Sequence, residues 1–254
     1  MGLAAANLDE LRERRAFECR LTPDRALASL DQAEEFLLDR GLLTRTSDCA
    51  LPSLFEACHE EPYAPGKPGF GQWPRTKYGW FGGLGARGYP ILPIHRGKST
   101  LLTREVATVI DPLCRAELAR LEARGGDEAR VLRHLAVAGP SELDDLRLEL
   151  GLEAKELKRV RTPLERHGAI VSRSLVYEDP HTHTSELARW DQLFPEAPGG
   201  GGLDELVVAG VRAAVLATER EPRRWFTWWE DGLVERLVAD GRLVRPEDGW
   251  LATP

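Results

Sequence analysis

Cysteine is scarce in this sequence. Only four cysteines occur in 254 residues, and they lie far apart, at Cys19, Cys49, Cys58 and Cys114. Because no two of them form a C-x-x-C pair, the spacing excludes zinc-ribbon and thioredoxin-like sites. We therefore expect reduced thiols in a cytoplasmic protein that uses no metal and no other cofactor.

Long hydrophobic runs are also missing. No apolar run approaches the length of a membrane span, and the segment from Leu11 to Arg15 is charged where a signal peptide needs an apolar core. The composition, 42% hydrophobic and 30% charged, is ordinary for a globular protein. The 254 residues are enough for two or three small domains. We expect no membrane partner.

Acidic residues are absent from one stretch, Pro62–Arg104, although the whole chain has a net charge of -7. The basic residues in it are Lys67, Arg75, Lys77, Arg87, Arg96, Lys98 and Arg104. The aromatic residues in it are Tyr63, Phe70, Trp73, Tyr78, Trp80, Phe81 and Tyr89. Cations can contact phosphates and aromatic rings can stack on bases, so this stretch predicts a nucleic-acid surface. Because it is rich in glycine and proline, we expect much of it to be loop. The alternative is that the rings fill the core and the charges are solvated.

The stretch Asp127–Tyr177 has the order of a winged helix-turn-helix: a helix, a short helix, a third helix and a segment able to form a strand. Ser141 is the predicted start of the second helix, and Gly151 closes it. In this motif the third helix enters the major groove. Here that helix is basic, with Lys155, Lys158, Arg159, Arg161, Arg166 and His167. We expect Pro163 to break it after Arg161 or to start a new helix.

The ending of this unit, a helix closed by glycine and followed by an apolar strand, recurs along the chain. It occurs at Gly41, Gly168 and Gly241, and three such endings predict three winged-helix units. The alternative is that this order is common in any mixed protein. We predict an α+β fold, mainly α, of two or three winged helix-turn-helix units. The predicted divisions are an N-terminal helical extension at 1–20, a winged-helix-like domain at 21–126, a central winged helix at 127–197, a glycine-rich linker at 198–202 and a C-terminal winged helix at 203–254.

Two short motifs resemble phosphate-binding sites but lack the required context. Gly83–Gly88 matches G-x-G-x-x-G, yet Pro90 and Pro93 follow where a dinucleotide site needs a helix. Gly97-Lys98-Ser99 resembles the end of a P-loop, but Leu92 stands where the earlier glycine is required. Neither motif predicts a nucleotide cofactor.

His181 and His183 are a candidate metal pair, because residues two apart on a strand face the same side. Asp179 and Glu186 are the nearest further ligands in sequence. A metal site needs three or four ligands, so a solvated wing tip is the preferred interpretation.

A family resemblance connects several of these segments. An N-terminal helical unit ends in Cys49–Ala57, a tryptophan-rich basic segment leads to Arg96–Leu101, and the central unit follows. Phe194-Pro195-Glu196 then precedes a last unit ending in Gly249-Trp250-Leu251. From about Leu21 to Leu251 the chain resembles the bacterial winged-helix DNA glycosylase superfamily, in particular its AlkZ-related branch. The resemblance implies tandem winged helices around a DNA-binding channel and excision of alkylated or crosslinked bases without a metal.

The sequence departs from that family in its N-terminal part. Active members carry a Gln-x-Gln or Gln-x-Asp motif that positions the attacking water, and neither motif is present here. Gln32 with Glu34 is a chemical near-match and the weak catalytic candidate, because a carboxylate can orient water or stabilise a developing cation. The alternative is that both residues lie on a solvated helix face.

The leading hypothesis is a winged-helix protein that binds duplex DNA and recognises damaged, alkylated bases in repair, with metal-independent glycosylase activity if a catalytic group exists. The predicted DNA contacts are Trp73, Arg75, Lys77, Trp80, Arg87, Arg96, Lys98, Lys158, Arg159, Arg161 and Arg173. The alternative is an inactive winged-helix scaffold that binds a protein or small ligand, which the net charge of -7 favours. Salt-dependent DNA binding separates the two hypotheses.

Overall fold

The chain forms an α+β fold in which helices predominate and the sheets are small. The structure is a computed structural model that describes residues 7–62, 64–66, 76–176, 183–196 and 200–254, with the main chain alone at 76–78, 174–176 and 183–184. The helices are α1 (Leu8–Glu18), α2 (Leu30–Arg40), α3 (Thr76–Ala86), α4 (Arg104–Arg124), α5 (Gly126–Ala138), α6 (Leu143–Leu150), α7 (Ala154–Arg166), α8 (Trp190–Leu193), α9 (Leu203–Ala214), α10 (Pro222–Trp225) and α11 (Leu233–Ala239). The strands are β1 (Leu42–Thr44), β2 (Ile91–His95), β3 (Lys98–Leu102), β4 (Ser141–Glu142), β5 (Ile170–Val176), β6 (His183–Arg189), β7 (Ala217–Thr218) and β8 (Trp250–Leu251). No helix in these ranges is both long and apolar enough to cross a membrane.

Three small antiparallel sheets share one strand order, with the last strand in the middle. β3 lies between β1 and β2, and β6 lies between β4 and β5. In the third sheet β7 pairs with β8, and Val244 forms a bridge with Ala252. Since alternate residues of an antiparallel strand bond toward opposite edges, Val244 lies on the edge away from β7. The third sheet therefore repeats the order of the other two.

The three glycine endings predicted from the sequence are not equivalent in this arrangement. Gly168 and Gly241 precede the second strand of their sheets, whereas Gly41 precedes β1, the first strand of its own. In the first sheet the corresponding helix is α3, and Gly88 follows it at φ 93° before β2. The endings differ in this way because the same local sequence ends any helix that leads into a strand, whatever the strand's place in the sheet.

The basic aromatic stretch is more regular than its composition predicts. The prediction that much of Pro62–Arg104 is loop is wrong for its described part, most of which forms α3 and the β2–β3 hairpin. Two helical glycines permit close packing: a Cβ at Gly83 would lie 3.1 Å from Leu30 Cδ2, and one at Gly85 would lie 2.8 Å from Ile91 Cδ1. The glycines therefore serve helix packing rather than loop flexibility.

Two prolines lie inside continuous helices. α4 runs through Pro112, and α7 runs through Pro163, so the predicted break after Arg161 is absent. A proline inside a helix costs about 3 kcal/mol relative to alanine. In α7 the neighbouring Val160 and Leu164 are fully buried, and their packing offsets that cost. Tertiary contacts here override the local preference.

One hydrophobic core joins the first sheet to the C-terminal helices. Trp225 is fully buried and packs on α9, where a Cβ at Gly210 would lie 2.9 Å from Trp225 Cε3. Gly201, in the predicted linker, passes close to α4, because a Cβ there would lie 2.6 Å from the Val109 carbonyl oxygen. The C-terminal helices therefore pack against the rest of the chain through this shared core and through Gly201.

Gly168→Ala should destabilise the protein more than Gly151→Ala. Both glycines have left-handed backbone, with φ of 65° and 62°, so each substitution costs about 1 kcal/mol of backbone strain. A Cβ at Gly168 would also overlap the buried Cys114 Sγ, whereas nothing lies within 4 Å of one at Gly151. We expect a total loss of about 2–4 kcal/mol at Gly168. Urea unfolding measures both variants, and equal losses would show that Cys114 simply moves aside.

Candidate nucleic-acid interface

One face of α7 carries a row of exposed cations, called here the basic stripe. α7 begins after Glu153, whose main-chain N–H donates to the Glu156 carboxylate at 3.0 Å. Leu157, Val160 and Leu164 bury the opposite face. The basic stripe consists of Lys155, Lys158, Arg159 and Arg166, all exposed. Because these positions follow the helical repeat, the four side chains project along one side of α7.

The tip of the β2–β3 hairpin, residues 95–98, lies at the C-terminal end of the basic stripe. His95 pairs with Lys98 across a two-residue turn in which Arg96 and Gly97 have φ of 50° and 80°, as a tight hairpin turn requires. Arg166 Nη2 donates to the Arg96 carbonyl oxygen at 3.3 Å. Gly97 makes room for this contact, since a Cβ there would lie 2.6 Å from Arg166 Nη2. Arg96 and Lys98 therefore extend the row of cations from α7 to the β2–β3 hairpin of the first sheet.

Asp48 is the carboxylate that faces this hairpin tip. Its Oδ2 accepts a hydrogen bond from Arg96 Nη2 at 3.0 Å and pairs with Lys98. Burial alone would raise the pKa of Asp48, but the hydrogen bond and charge of Lys98, with His95 and Arg96, outweigh burial and lower that pKa. Asp48 is thus ionised at neutral pH and offsets part of the positive charge at the tip.

His95 is fully buried beside Asp48, where three parts of the chain meet. Its Nδ1 lies 2.8 Å from the Trp225 carbonyl oxygen. A carbonyl oxygen only accepts, so Nδ1 carries the proton and Nε2 presents its lone pair. Nε2 lies 3.4 Å from Asp48 Oδ1 and 3.3 Å from Arg96 Nη2. Burial lowers the pKa of His95, although the Trp225 carbonyl and Asp48 oppose this shift, so the ring is neutral.

Cys49 completes a cluster with Asp48 and His95. Burial raises the pKa of the Cys49 thiol to about 11. One ligating atom from each residue, a carboxylate oxygen, a sulfur and an imidazole nitrogen, lies within 4.8 Å of the other two. Within the described part of the chain, this is the group of His, Cys, Asp and Glu side chains that can hold a metal ion.

The weak catalytic candidates, Gln32 and Glu34, both have hydrogen-bond partners away from the basic stripe. The Gln32 side-chain oxygen accepts from the Ala28 main-chain N–H at 2.8 Å, so Gln32 caps the start of α2. Glu34 pairs with Arg87, which also donates to Asp31 at 2.6 Å. Gln32 is therefore engaged at the start of α2, whereas Arg87 ties the end of α3 to α2 through Glu34 and Asp31.

Other predicted DNA contacts are placed as follows. Arg161 is 3.9 Å from Glu165 on the same helix, and Arg173 pairs with Glu186 across β5 and β6. Trp80 is half-buried against the core of the first sheet, where Phe81 is fully packed, so the core interpretation applies to these two rings. Trp73, Arg75 and His181 lie outside the described residues. Lys77 is in α3 and His183 is in β6, but the structure describes only the main chain at these two positions.

The residues that sequence reasoning missed are Asp48, Cys49 and His95. Asp48 and His95 are 47 positions apart, and neither stands in a recognisable motif. The pairing of β1 with β3 and of β3 with β2 brings the loop after β1 to the hairpin tip. The absence of acidic residues from Pro62–Arg104 indicates that any carboxylate partner of its cations comes from another part of the chain. It does not indicate which residue that is.

Comparison with known proteins adds a likeness of fold. No known family model matches the sequence, and no curated protein matches it. The fold resembles that of a DNA glycosylase. A solved structure with a similar fold is that of the DNA glycosylase AlkZ of Streptomyces sahachiroi. It superposes on this chain with a TM-score of 0.56 at 14% sequence identity. The match covers 98% of this chain and 70% of the AlkZ chain, so the likeness of fold extends over nearly the whole of this chain.

The arrangement has the chemistry of a phosphate-binding surface with one carboxylate built into it. The basic stripe and the hairpin tip together present six cations, and lysine and arginine bind phosphates by charge and hydrogen bonds. Asp48 pairs with two of these cations, so a phosphate at the tip must compete with it. The four cations of the basic stripe are therefore more accessible to a phosphate than Arg96 and Lys98 are.

Proposed function

We propose that this protein binds duplex DNA in the cytoplasm and acts in DNA repair. The observation that carries the proposal is the continuity of the basic stripe on α7 with the hairpin tip. The hydrogen bond from Arg166 to the Arg96 carbonyl oxygen, for which Gly97 leaves room, joins the two. Two elements distant in sequence thus present cations on one connected surface. The backbone of a DNA duplex presents a continuous row of phosphates to such a surface. Contacts of lysine and arginine with phosphates supply most of the non-specific affinity of DNA-binding proteins.

We also propose that the three sheets belong to winged-helix units. The support is the common strand order, with the last strand between the first two, and the helices α3 and α7 that precede the hairpins of the first two sheets. The proposed units span residues 21–126, 127–197 and 203–254, with a linker at 198–202 and a helical extension at 1–20. In this scheme α7 is the helix that approaches the major groove.

The proposed repair role extends the likeness in fold to recognition of damaged, alkylated DNA. AlkZ is named as a DNA glycosylase, and this chain shares its fold over most of its own length. The proposed further DNA contacts are Trp73, Arg75, Lys77, Arg161 and Arg173. Trp80 and Arg87 are dropped from this set, because Trp80 packs on the core and Arg87 pairs with Glu34 and Asp31. The hydrogen bonds of Gln32 with Ala28 and of Glu34 with Arg87 weaken both residues as catalytic candidates, because their side chains are already engaged.

Fluorescence anisotropy with labelled duplex, single-stranded and abasic-site DNA tests this function. If all six cations of the surface meet phosphates, log K should fall with log salt at a slope of about -5, since each contact contributes roughly -0.9. Preference for the abasic duplex would support damage recognition, and excision of alkylated bases can then be assayed directly. Absence of binding at low salt would sink the DNA proposal and leave the alternative, a scaffold for a protein or small ligand.

A further inference from the structure

We propose that Asp48, Cys49 and His95 form a zinc site. Their ligating atoms already lie within 4.8 Å of one another. Ligands on a tetrahedral zinc ion, with bonds of about 2.0–2.3 Å, lie roughly 3.3–3.8 Å apart. The three atoms therefore need to approach by only about 1 Å to share one ion. The loop after β1 supplies two ligands and the end of β2 supplies the third, so the sheet holds the site in place.

His95 is oriented as a ligand before any ion arrives. Its Nδ1–H donates to the Trp225 carbonyl oxygen at 2.8 Å, which turns the Nε2 lone pair toward Asp48. Zinc-bound histidines almost always make this kind of hydrogen bond from the other ring nitrogen, because it fixes the tautomer and the ring plane. His95 is fully buried, so the surrounding core also prevents the ring from turning away.

Asp48 has one oxygen that contacts neither Lys98 nor Arg96. Those two cations bind Oδ2, while Oδ1 accepts a hydrogen bond from Thr46 Oγ1 at 3.3 Å and faces His95 Nε2 at 3.4 Å. A carboxylate oxygen has two lone pairs, so Oδ1 can keep the Thr46 hydrogen bond and still bind an ion. A zinc ion bound by Oδ1 would leave the partners of Oδ2 in place as the outer hydrogen bonds that a ligating carboxylate keeps. The contact of Arg96 Nη2 with His95 Nε2, at 3.3 Å, must be given up. The two neighbouring cations also oppose the ion, so the site is weaker than one without them.

The donor set decides the class of metal. Nitrogen and sulfur donors are poor ligands for magnesium and calcium, which prefer oxygen, and they suit zinc and other late first-row metals. Three protein ligands leave a fourth position for water, as in catalytic zinc sites. Cys49 and Asp48 are both partly accessible, so an ion and its water can reach the site from solvent.

Cobalt titration of the full chain, after treatment with chelator and without DNA, tests the site. We expect saturable binding of one Co²⁺ with tetrahedral d–d absorption and a sulfur-to-cobalt band, and displacement of the cobalt by zinc. Cys49→Ser should lose the sulfur band and weaken zinc binding at least tenfold. Cys58→Ser is the matched control, because its hydroxyl can keep the hydrogen bond from Cys58 Sγ to the Leu54 carbonyl, now 2.9 Å long. This control should bind as the unchanged protein does.

A second variant gives an effect of opposite sign. Lys98→Ala removes a cation that competes for Asp48, so zinc binding should strengthen about tenfold, a distinct result even if Cys49→Ser does not fold. Circular dichroism checks the fold of each variant. Absence of saturable binding, an unchanged sulfur band in Cys49→Ser, or weaker binding in Lys98→Ala would overturn the zinc site. None of these outcomes touches the DNA proposal, since no DNA is present.

Discussion

Replacing Trp225 with alanine should lower the free energy of unfolding by about 3–5 kcal/mol, the range for truncating a buried aromatic side chain. Trp225 is fully buried in the core that joins the first sheet to α9. Its indole Nε1 donates to Glu221 at 2.9 Å, and its ring covers Gly210. The substitution opens a cavity and leaves Glu221 without this donor, and both effects destabilise the folded state.

Denaturant unfolding followed by circular dichroism measures this loss. Trp229→Ala is the matched control, because Trp229 is close in sequence but only partly buried against the same core. We expect it to cost about 1 kcal/mol, as most substitutions do. Equal losses in the two variants would mean that the fold does not depend on the contact of Trp225 with α9.

Removing three cations of the basic stripe should weaken duplex binding by about 10²–10³-fold at 0.1 M salt, since each lost phosphate contact costs roughly eight- to tenfold there. The variant is Lys155→Ala/Lys158→Ala/Arg159→Ala. All three side chains are exposed, and Arg159 alone has a carboxylate partner among the described residues, Asp127 at 3.1 Å. The fold should therefore be unaffected, and the salt slope should become less steep by about 2.7.

The matched control for this variant removes three exposed arginines elsewhere, as Arg212→Ala/Arg223→Ala/Arg224→Ala. It changes the net charge equally but lies on α9 and α10, outside the proposed surface. Anisotropy with the same duplex at several salt concentrations compares the two. An equal loss of affinity in both variants would show that the total charge, and not the basic stripe, determines binding.

The basic stripe could be predicted from the sequence because it depends on local order alone. Helical spacing in 154–166 places its cations on the face opposite Leu157, Val160 and Leu164, and the structure has that helix. The effect of Pro163 could not be predicted in the same way. A local rule says that proline ends the helix, whereas burial of both neighbouring turns in the core keeps it continuous.

The hairpin tip and its neighbours depend on contacts that no local pattern specifies. Gly97 was recognised only as part of an incomplete P-loop motif, yet its missing side chain is what admits Arg166. Asp48 and His95 meet because three strands pair in a particular order. Trp225, whose carbonyl oxygen accepts a hydrogen bond from His95, is 130 residues beyond His95. Such contacts follow from tertiary packing, which periodicity and composition leave open.

The contact of Arg166 with the hairpin tip also bears on how DNA of different stiffness would be handled. Since Gly97 seats the tip directly on the end of α7, the cations of the two elements lie side by side on the proposed DNA surface. A duplex must then adapt its backbone path to this array, and the work of bending depends on its sequence and on any damage. If the protein binds DNA as proposed, this surface would favour flexible or weakened sites through the ease of bending them, without any contact to a base.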